Sequence, residues 1–226
     1  VIFNPLSRFA EYNMKYEDSP EDDICEGTSH AESESAYFTY QEAVDATNRI
    51  AASFRLPTKS EFEDLIGVAG IKISFTQAPD KLNHPEPHYT SPQLKSAYRF
   101  PGGNVAYAMR YMDQKYPFVG SDKFAIFRYE WKSNPKSASD GYLLEVKSIV
   151  LGKGVVHLNL DDLSDDEFWE TNKGNVVTRC FPAFGYYDPT TLKSLGSEGL
   201  YWSSDSPTLS FKESEISITN HDKAHK

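Results

Sequence analysis

The spacing of the apolar residues changes once along this chain, from helical spacing before Gly70 to alternation after it. Thr39 with Glu42, and Thr58 with Glu61, form two capping boxes, each followed by apolar residues that recur every three or four positions. Two early helices followed by a series of strands predict an α+β fold, with the helices packed on a twisted, mainly antiparallel sheet with long loops. The segments predicted to be strands are 105–112, 124–131, 142–151, 155–160, 176–183, 200–204, 209–211 and 215–219.

Composition excludes several classes of protein. The chain has 226 residues and a formal net charge of −10, so it repels phosphate backbones and nucleic acid is not an expected partner. No run approaches the ~18 consecutive apolar residues of a membrane helix. Cys25 and Cys180 are the two cysteines, which excludes a cysteine-rich zinc site, and we expect them to be unpaired. With no repeat and no linker, residues 1–226 are expected to form one domain, in which 1–36 provide an opening strand and a polar loop.

Several separated motifs resemble a known bacterial family. Segment 54–65 contains Arg-Leu-Pro-Thr at the start of the second helix, segment 181–186 reads Phe-Pro-Ala-Phe-Gly-Tyr, and segment 195–204 ends in Gly-Leu-Tyr-Trp-Ser-Ser. With the start of the first helix over 37–43, they resemble the Fibrobacter succinogenes major paralogous domain family. That family is related to the formylglycine-generating-enzyme-like branch of the C-type-lectin-like fold, so the resemblance implies a C-type-lectin-like domain.

The resemblance also implies a place at the bacterial cell surface. Modules of this family occur in lipoproteins and at the C-terminal ends of fimbrillin-like surface proteins, so the chain is expected to be secreted or displayed on the outer surface. The family has a last strand with a Val-Arg pair that closes the sheet, whereas here a polar, turn-like segment, 221–226, follows 215–219. We therefore expect a fragment of a longer surface protein that lacks the final strand.

The cysteines argue against catalysis. The formylglycine-generating branch oxidises cysteine with active-site cysteines gathered at one place, whereas Cys25 lies in an acidic N-terminal loop and Cys180 precedes the Phe-Pro-Ala motif. Neither has an adjacent histidine that would activate a thiolate. No Gly-x-Ser-x-Gly elbow accompanies the serines and histidines. We expect a protein that is not an enzyme, with no catalytic residues and no cofactor.

Candidate metal ligands are concentrated in one proline-rich loop. His84, Glu86 and His88 alternate with prolines, so in an extended loop they project to one side, where zinc or copper would need a further ligand from elsewhere. A rigid loop with solvated side chains is the preferred interpretation, and no bound metal is predicted. The lectin triplets Glu-Pro-Asn, Gln-Pro-Asp and Trp-Asn-Asp are absent. The acidic run 161–167 is predicted to begin a short helix, because acidic groups favour helix N-termini.

Ligand binding is predicted in two connections rich in tyrosine, proline and serine, 83–100 and 186–195. Tyrosine offers a large apolar area and a hydroxyl at a low cost in side-chain entropy. The alternative is that these tyrosines pack the loops onto the sheet. Trp202 is predicted to be a core anchor and not part of the ligand site. The predicted ligand-binding residues are Tyr89, Tyr98, Arg99, Tyr186, Tyr187 and Asp188.

Three hypotheses about function follow. The first is a non-catalytic cell-surface binding or adhesion module, part of a fimbria-like or lipoprotein assembly, whose partner is a protein or a glycan. The second is a carbohydrate-binding module for polysaccharide capture, which an exposed aromatic platform would favour. The third is an enzyme of the formylglycine-generating branch, which a buried cluster of titratable groups in a cleft would favour.

Overall fold

The computed structural model describes residues 4–10, 13–14, 24–25, 37–49, 54–66, 96–111, 123–135, 138–152 and 162–225. Within these ranges it combines α-helices with antiparallel sheets, as the sequence predicts. The helices are α1 (Tyr40–Arg49), α2 (Lys59–Ile66) and α3 (Asp166–Thr171). The strands are β1 (Asn13–Met14), β2 (Ile24–Cys25), β3 (Ser96–Gly102), β4 (Val105–Tyr111), β5 (Lys123–Ser133), β6 (Tyr142–Gly152), β7 (Val177–Pro182), β8 (Tyr186–Asp188), β9 (Thr191–Lys193), β10 (Glu198–Trp202), β11 (Thr208–Lys212) and β12 (Glu215–Thr219).

The described strands pair with their neighbours along the chain. β3 to β7 form a five-stranded antiparallel sheet in chain order, and β10 to β12 form a three-stranded one. β1 with β2, and β8 with β9, are separate hairpins. A parallel bridge between Gly185 and Gly199 links the start of the second hairpin to β10. The connections β3–β4 and β11–β12 are two residues long, whereas 24 residues that include α3 separate β6 from β7.

Both capping boxes are confirmed. At α1, the Thr39 amide donates to the Glu42 carboxylate at 2.8 Å, and the Glu42 amide donates to the Thr39 hydroxyl at 3.3 Å. At α2, the same pair of bonds joins Thr58 and Glu61, at 2.8 and 3.2 Å. Each box satisfies amides that a helix N-terminus otherwise leaves unpaired, which fixes where each helix begins.

Glu61 also fastens the connection that precedes α2. Arg55 donates two hydrogen bonds to its carboxylate, at 2.8 and 2.6 Å. The hydrogen bond from Arg55 is the main reason why the pKa of Glu61 falls from 4.5 to about 2, since it outweighs the opposite effect of burial. One carboxylate therefore holds both the cap of α2 and the Arg-Leu-Pro-Thr joint.

We expect Glu61→Gln to lower the free energy of unfolding at neutral pH by about 1–2 kcal/mol, because it removes the charge that Arg55 and Thr58 share. The folded-state pKa is depressed, so this contribution is complete above about pH 4.5 and is lost as the pH falls towards 2. Urea unfolding at several pH values measures it. Glu63→Gln, which removes a more exposed partner of Lys59 on the same helix, should cost about 0.5 kcal/mol or less. Equal losses in the two variants would contradict the assignment.

The main core lies between one face of the five-stranded sheet and a layer formed by α2 and the three-stranded sheet. A smaller apolar cluster on the other sheet face is covered by α3, whose Trp169 donates its ring N–H to the Leu163 carbonyl at 2.9 Å. The predicted short helix that carries Phe168 and Trp169 is thus confirmed as α3. The buried residues of the main core are Leu6, Phe9, Phe62, Leu65, Ile66, Ala106, Ala108, Ala125, Phe127, Tyr129, Trp131, Leu144, Val146, Phe181, Ala183, Leu209, Phe211 and Ile216.

The structure differs from the sequence prediction at three places. Pro5–Arg8 form a 3-10 helix capped by Asn4, where an opening strand was expected. The predicted connection 83–100 ends in β3, and the predicted loop 186–195 contains the hairpin of β8 and β9. Each other predicted strand segment within the described ranges lies on a strand, whereas 155–160 lies outside them. None of the described helices is long and apolar enough to cross a membrane.

Candidate functional site

The two predicted groups of ligand-binding residues lie far apart. Tyr98 and Arg99 belong to β3, opposite Ala108 and Tyr107 of β4. β3 and β7 are the two edges of the five-stranded sheet, about 19 Å apart at about 4.8 Å per strand. The other group follows β7 closely, in β8, so the structure does not bring the groups together. Tyr89 and the candidate metal ligands His84, Glu86 and His88 lie outside the described residues.

Tyr186, Tyr187 and Asp188 form β8, and the hairpin turns at Pro189 and Thr190. Neighbouring side chains of a strand point to opposite faces, so Tyr186 and Tyr187 do not make one aromatic surface. Tyr187 packs edge-on against the ring of Tyr37, with 4.9 Å between the ring centroids. The Tyr37 hydroxyl in turn donates to the carbonyl of Phe184, so this side of the hairpin is fastened to the segment before α1.

Tyr186 packs against histidines from the segment that follows β12. Its ring stacks on His225, with 5.4 Å between centroids and 24° between planes, and His221 lies 6.2 Å away. Asp188, whose side chain is 48% exposed, places a carboxylate oxygen 3.4 Å from Nε2 of His225. Tyr186 and Tyr187 are both half-buried. This agrees with the alternative interpretation of the sequence, in which these tyrosines have a packing role.

Tyr142, at the start of β6, is the most exposed aromatic side chain next to this hairpin. It is 42% exposed and stacks on the buried ring of Trp131, with 5.3 Å between centroids and 6° between planes. Its backbone amide donates to the Gly196 carbonyl at 3.0 Å, directly beside Leu195, which is 40% exposed. An exposed ring backed by a buried ring is a rigid surface, because the stack restricts its rotamers.

Glycines hold the base of the hairpin in one arrangement. Gly141 and Gly196 both have positive φ, and a Cβ on Gly141 would lie 2.4 Å from the Gly196 Cα. The Gly196 amide donates to the Ala183 carbonyl at 2.7 Å, and the Gly185 amide donates to the Glu198 carbonyl at 2.7 Å. Close backbone approach of this kind requires glycine. It ties the Tyr142 end of β6 to the base of the hairpin.

We use the name hairpin surface for residues on or next to the hairpin, on either of its faces: Tyr142, Tyr186, Tyr187, Asp188 and Leu195. Three of these residues were predicted from the sequence, Leu195 is the last residue of the predicted connection 186–195 but was not named as a ligand-binding residue, and Tyr142 was not predicted. Leu195 carries a usable signal, since an apolar residue between Ser194 and Gly196 interrupts an otherwise polar turn. Tyr142 carries none, because it reads as the first residue of an ordinary strand.

The sequence motifs that carry the family resemblance lie in contact with one another and have a structural role. The Ser204 amide donates to the Pro57 carbonyl at 2.8 Å, and the Lys59 amide donates to Asp205 at 2.8 Å, so the segment after β10 caps α2. Trp202 donates its ring N–H to the Phe38 carbonyl at 2.9 Å and packs with the small cluster of Phe38, Ala43 and Ala46. Trp202 therefore acts as an anchor, as predicted. These motifs describe how the chain is held together.

A second group of polar residues lies on the same face of the five-stranded sheet as α3. Glu145, which is 9% exposed, accepts a hydrogen bond from Lys132 at 2.9 Å. Lys147 and Arg128 lie 3.6 and 3.8 Å from its other oxygen, which has no hydrogen-bond partner within the described part of the chain. Burial alone raises the pKa of Glu145, but the Lys132 hydrogen bond and the three cations outweigh it, so this pKa lies below its ordinary value.

Cys180 pairs with Glu145 across β6 and β7 and is a free thiol, as predicted. Burial, reinforced by the charge of Glu145, raises the pKa of this thiol above its ordinary value. A thiolate is the nucleophilic form of cysteine, so the surroundings of Cys180 oppose reactivity at neutral pH. Among the described residues, no three His, Cys, Asp or Glu side chains are placed to hold a metal ion.

Comparison with known proteins gives one match. The profile of a family described as a domain of unknown function, DUF8237, matches residues 2–225. No curated protein and no solved structure matches the chain.

Proposed function

We propose a binding function for this chain, which belongs to the DUF8237 family of domains of unknown function. It is a non-catalytic module of the bacterial cell surface that holds a protein or glycan partner on the hairpin surface. The observation that carries the proposal is the pair of exposed apolar side chains, Tyr142 and Leu195, at 42% and 40% exposure at the base of the hairpin that carries the exposed carboxylate of Asp188. Binding energy concentrates on aromatic anchors surrounded by polar groups.

Rigidity supports this assignment. Tyr142 is stacked on Trp131, and its strand is joined to the turn at Gly196 by a backbone hydrogen bond. A side chain that is already fixed loses less conformational entropy on binding, so more of its contact energy becomes affinity. The same exposed tyrosine on a loosely packed loop would support the proposal less well.

The surface location and the C-type-lectin-like fold are part of the proposal. They depend on the motif resemblance, and the structure is compatible with them through two early helices followed by antiparallel sheets. The motif segments 54–65 and 195–204 contact one another, as parts of one scaffold would. In this proposal the scaffold is common to the family and the hairpin surface gives the partner specificity.

A carbohydrate-binding module is the second candidate. Sugar rings present flat apolar faces that stack on exposed aromatic rings, and Tyr142 offers such a ring with its hydroxyl free of hydrogen bonds to any described residue. Polar residues of the hairpin and its base, including Asp188 and Ser197, can bond sugar hydroxyls. An enzyme of the formylglycine-generating branch is the third candidate, and the raised pKa of Cys180 makes it the least supported.

We expect Tyr142→Ala to weaken binding to the partner by about tenfold or more, as for the loss of a central aromatic contact. Stability should fall by about 1 kcal/mol, because one face of the ring contacts Trp131. The labelled domain is applied to a glycan array and to an array of immobilised extracellular proteins, and the affinity of each variant for the hit is measured. Hits on the first array favour the carbohydrate candidate, and hits on the second favour protein adhesion.

Phe54→Ala is the matched control. Phe54 is 43% exposed, as an aromatic residue on the connection before α2, so its loss removes a similar ring from another surface. It should leave affinity unchanged. Full affinity in Tyr142→Ala, or equal losses in both variants, would show that the hairpin surface is not the contact site. Tyr187→Ala is a poorer test, because it also removes the contact with Tyr37.

A further inference from the structure

The segment after β12, residues 220–225, crosses from α1 to the hairpin of β8 and β9. The Lys223 carbonyl accepts a hydrogen bond from the Tyr40 amide at 3.1 Å, and the Lys223 ammonium lies 4.6 Å from the centroid of the Tyr40 ring. A turn at Asp222 shapes the segment, since its carbonyl and its side chain accept the amides of His225 and Ala224, each at 3.0 Å. We call this segment the strap.

Two imidazole rings attach the strap to the hairpin. His225 stacks on Tyr186 at 5.4 Å, and the ring of His221 lies 6.2 Å from the same tyrosine. The strap therefore packs against the ring of a hairpin-surface residue. Between these two histidines, Lys223 joins the strap to the first turn of α1 through its backbone carbonyl and through its ammonium, which lies over the Tyr40 ring.

The groups around each imidazole differ. His225 faces the ring of Tyr186, the carboxylate of Asp188 at 3.4 Å and His221, and its Nδ1 atom is buried without a hydrogen-bond partner in the described part of the chain. A neutral ring can leave Nδ1 as an unprotonated acceptor there. A protonated ring carries hydrogen on both nitrogens, and a buried N–H without an acceptor is unfavourable.

His221 faces Tyr186, the carboxylate of Glu198 on β10, and His225. Burial lowers the pKa of His221 below its ordinary value of 6.5, and Glu198, which acts in the opposite direction, does not offset burial and the neighbouring histidine together. The only other charged groups of the strap are Asp222 and Lys223, and Lys223 lies over Tyr40 of α1. A positive charge on His221 is thus disfavoured while the strap is docked.

We propose that residues 220–225 form a proton-sensitive strap, docked against Tyr186 while His221 is neutral and released when His221 is protonated. The direction of the pH dependence of docking follows from His221. Its pKa in the docked state is depressed, so its contribution to docking is complete above about pH 6.5 and is lost as the pH falls below that value. The contact between His225 and Asp188 acts in the opposite direction, but Asp188 is 48% exposed and such ion pairs are weak.

Release would change the hairpin surface. It frees the ring of Tyr186 and the carboxylate of Asp188, two of the five residues that define that surface. This consequence rests on the proposed function, because it makes partner binding tighter in acid than at neutral pH. The release itself does not depend on any partner, so it can be tested with the isolated chain.

The Tyr40 amide is a direct reporter of docking. It lies in the first turn of α1, where an amide has no acceptor within the helix, so its protection from hydrogen exchange depends on the Lys223 carbonyl. We expect its protection, corrected for intrinsic exchange, to fall by at least about threefold between about pH 7.5 and about pH 5.5. The Ala43 amide, which donates to the Thr39 carbonyl, should not change. NMR of uniformly labelled protein gives both values.

A double variant isolates the two histidines from the four others in the chain. His221→Phe with His225→Phe keeps the aromatic contacts but cannot titrate, so the protection of Tyr40 should stay high at both pH values. If this variant does not fold, the imidazole resonance of His221 in the wild type should titrate with the same midpoint as the Tyr40 exchange rate. Unchanged protection of Tyr40 in the wild type, or the same loss in the double variant, would overturn the strap. Strap release without a change in affinity would instead count against the proposed function.

Discussion

Replacing Gly185 by alanine is expected to lower the free energy of unfolding by about 4 kcal/mol. Gly185 has a φ of +70°, and a Cβ there would lie 1.9 Å from the Lys193 carbonyl oxygen and 2.8 Å from the Leu195 amide nitrogen. Both are backbone atoms of the β8–β9 hairpin, so relief requires the hairpin to move. The loss is measured by urea unfolding followed by tryptophan fluorescence.

Gly103→Ala separates the steric effect from the strain of the backbone. Gly103 has nearly the same φ, +69°, but a Cβ there meets nothing within 4 Å. We expect it to cost about 1 kcal/mol, the typical strain of a left-handed residue with a side chain. A loss in Gly185→Ala no larger than this would mean that the hairpin yields easily, and the rigid base assigned to the hairpin surface would then be wrong.

The parts of the fold that were predicted correctly are fixed by residues close in sequence. Thr39 with Glu42, and Thr58 with Glu61, bond across three positions, so the starts of α1 and α2 can be identified without any tertiary contact. Strands β4 to β6 follow from alternation, because one face of each strand packs in the main core. Asp165 caps α3 by the same local means.

Strand β3 was not predicted, although the sequence that follows it contains a local turn signal. Gly103 and Asn104 both have positive φ, +69° and +63°, which makes the turn between β3 and β4 a hairpin turn of the primed type. The Gly-Asn dipeptide is a local signal for such a turn, whereas residues 83–100 are predicted to form a connection. The register shifts between Arg99 and Gly102, an irregularity that accommodates the proline just before Gly102, because proline has no amide to donate.

The candidate site depended on contacts that no local pattern encodes. Tyr142 is the first residue of β6, and Trp131 covers only one face of its ring, so the ring is exposed. Its backbone amide donates to the carbonyl of Gly196, the residue that follows Leu195. Tyr186 is half-buried because His225 reaches it from a distant segment. Composition predicted a tyrosine-rich surface near β8, but only the three-dimensional arrangement distinguishes the rings that pack from the ring that is presented.

The pairing register of β5 and β6 explains why charged residues gather around Glu145. Glu130 and Glu145 are paired across β5 and β6, and Arg128 is paired with Lys147 one step along the same face. Side chains on one face of neighbouring strands interact directly, and like charges placed opposite each other are unfavourable. The two carboxylates are tolerated together because three cations, Arg128, Lys132 and Lys147, surround them.

Glu145→Gln is expected to lower the free energy of unfolding at neutral pH by about 3 kcal/mol, because it leaves Lys132 and Lys147 half-buried without their carboxylate. The pKa of Glu145 is depressed in the folded state, so the difference from wild type should be complete above about pH 4.5 and should shrink at lower pH. Urea unfolding at about pH 7 and at about pH 3.5 measures both parts of this prediction.

Glu130→Gln is the matched control, since Glu130 lies on the same sheet face and on the strand next to Glu145. Its carboxylate is 27% exposed, and its closest partner is Arg128, at 2.6 Å. A partly exposed pair contributes little, so we expect a loss of about 1 kcal/mol or less. The ratio of the two losses tests whether burial and the number of cations decide the outcome. If the variants are equally destabilised, or if the loss in Glu145→Gln persists unchanged at low pH, the charged group does not stabilise the sheet in the way its geometry indicates.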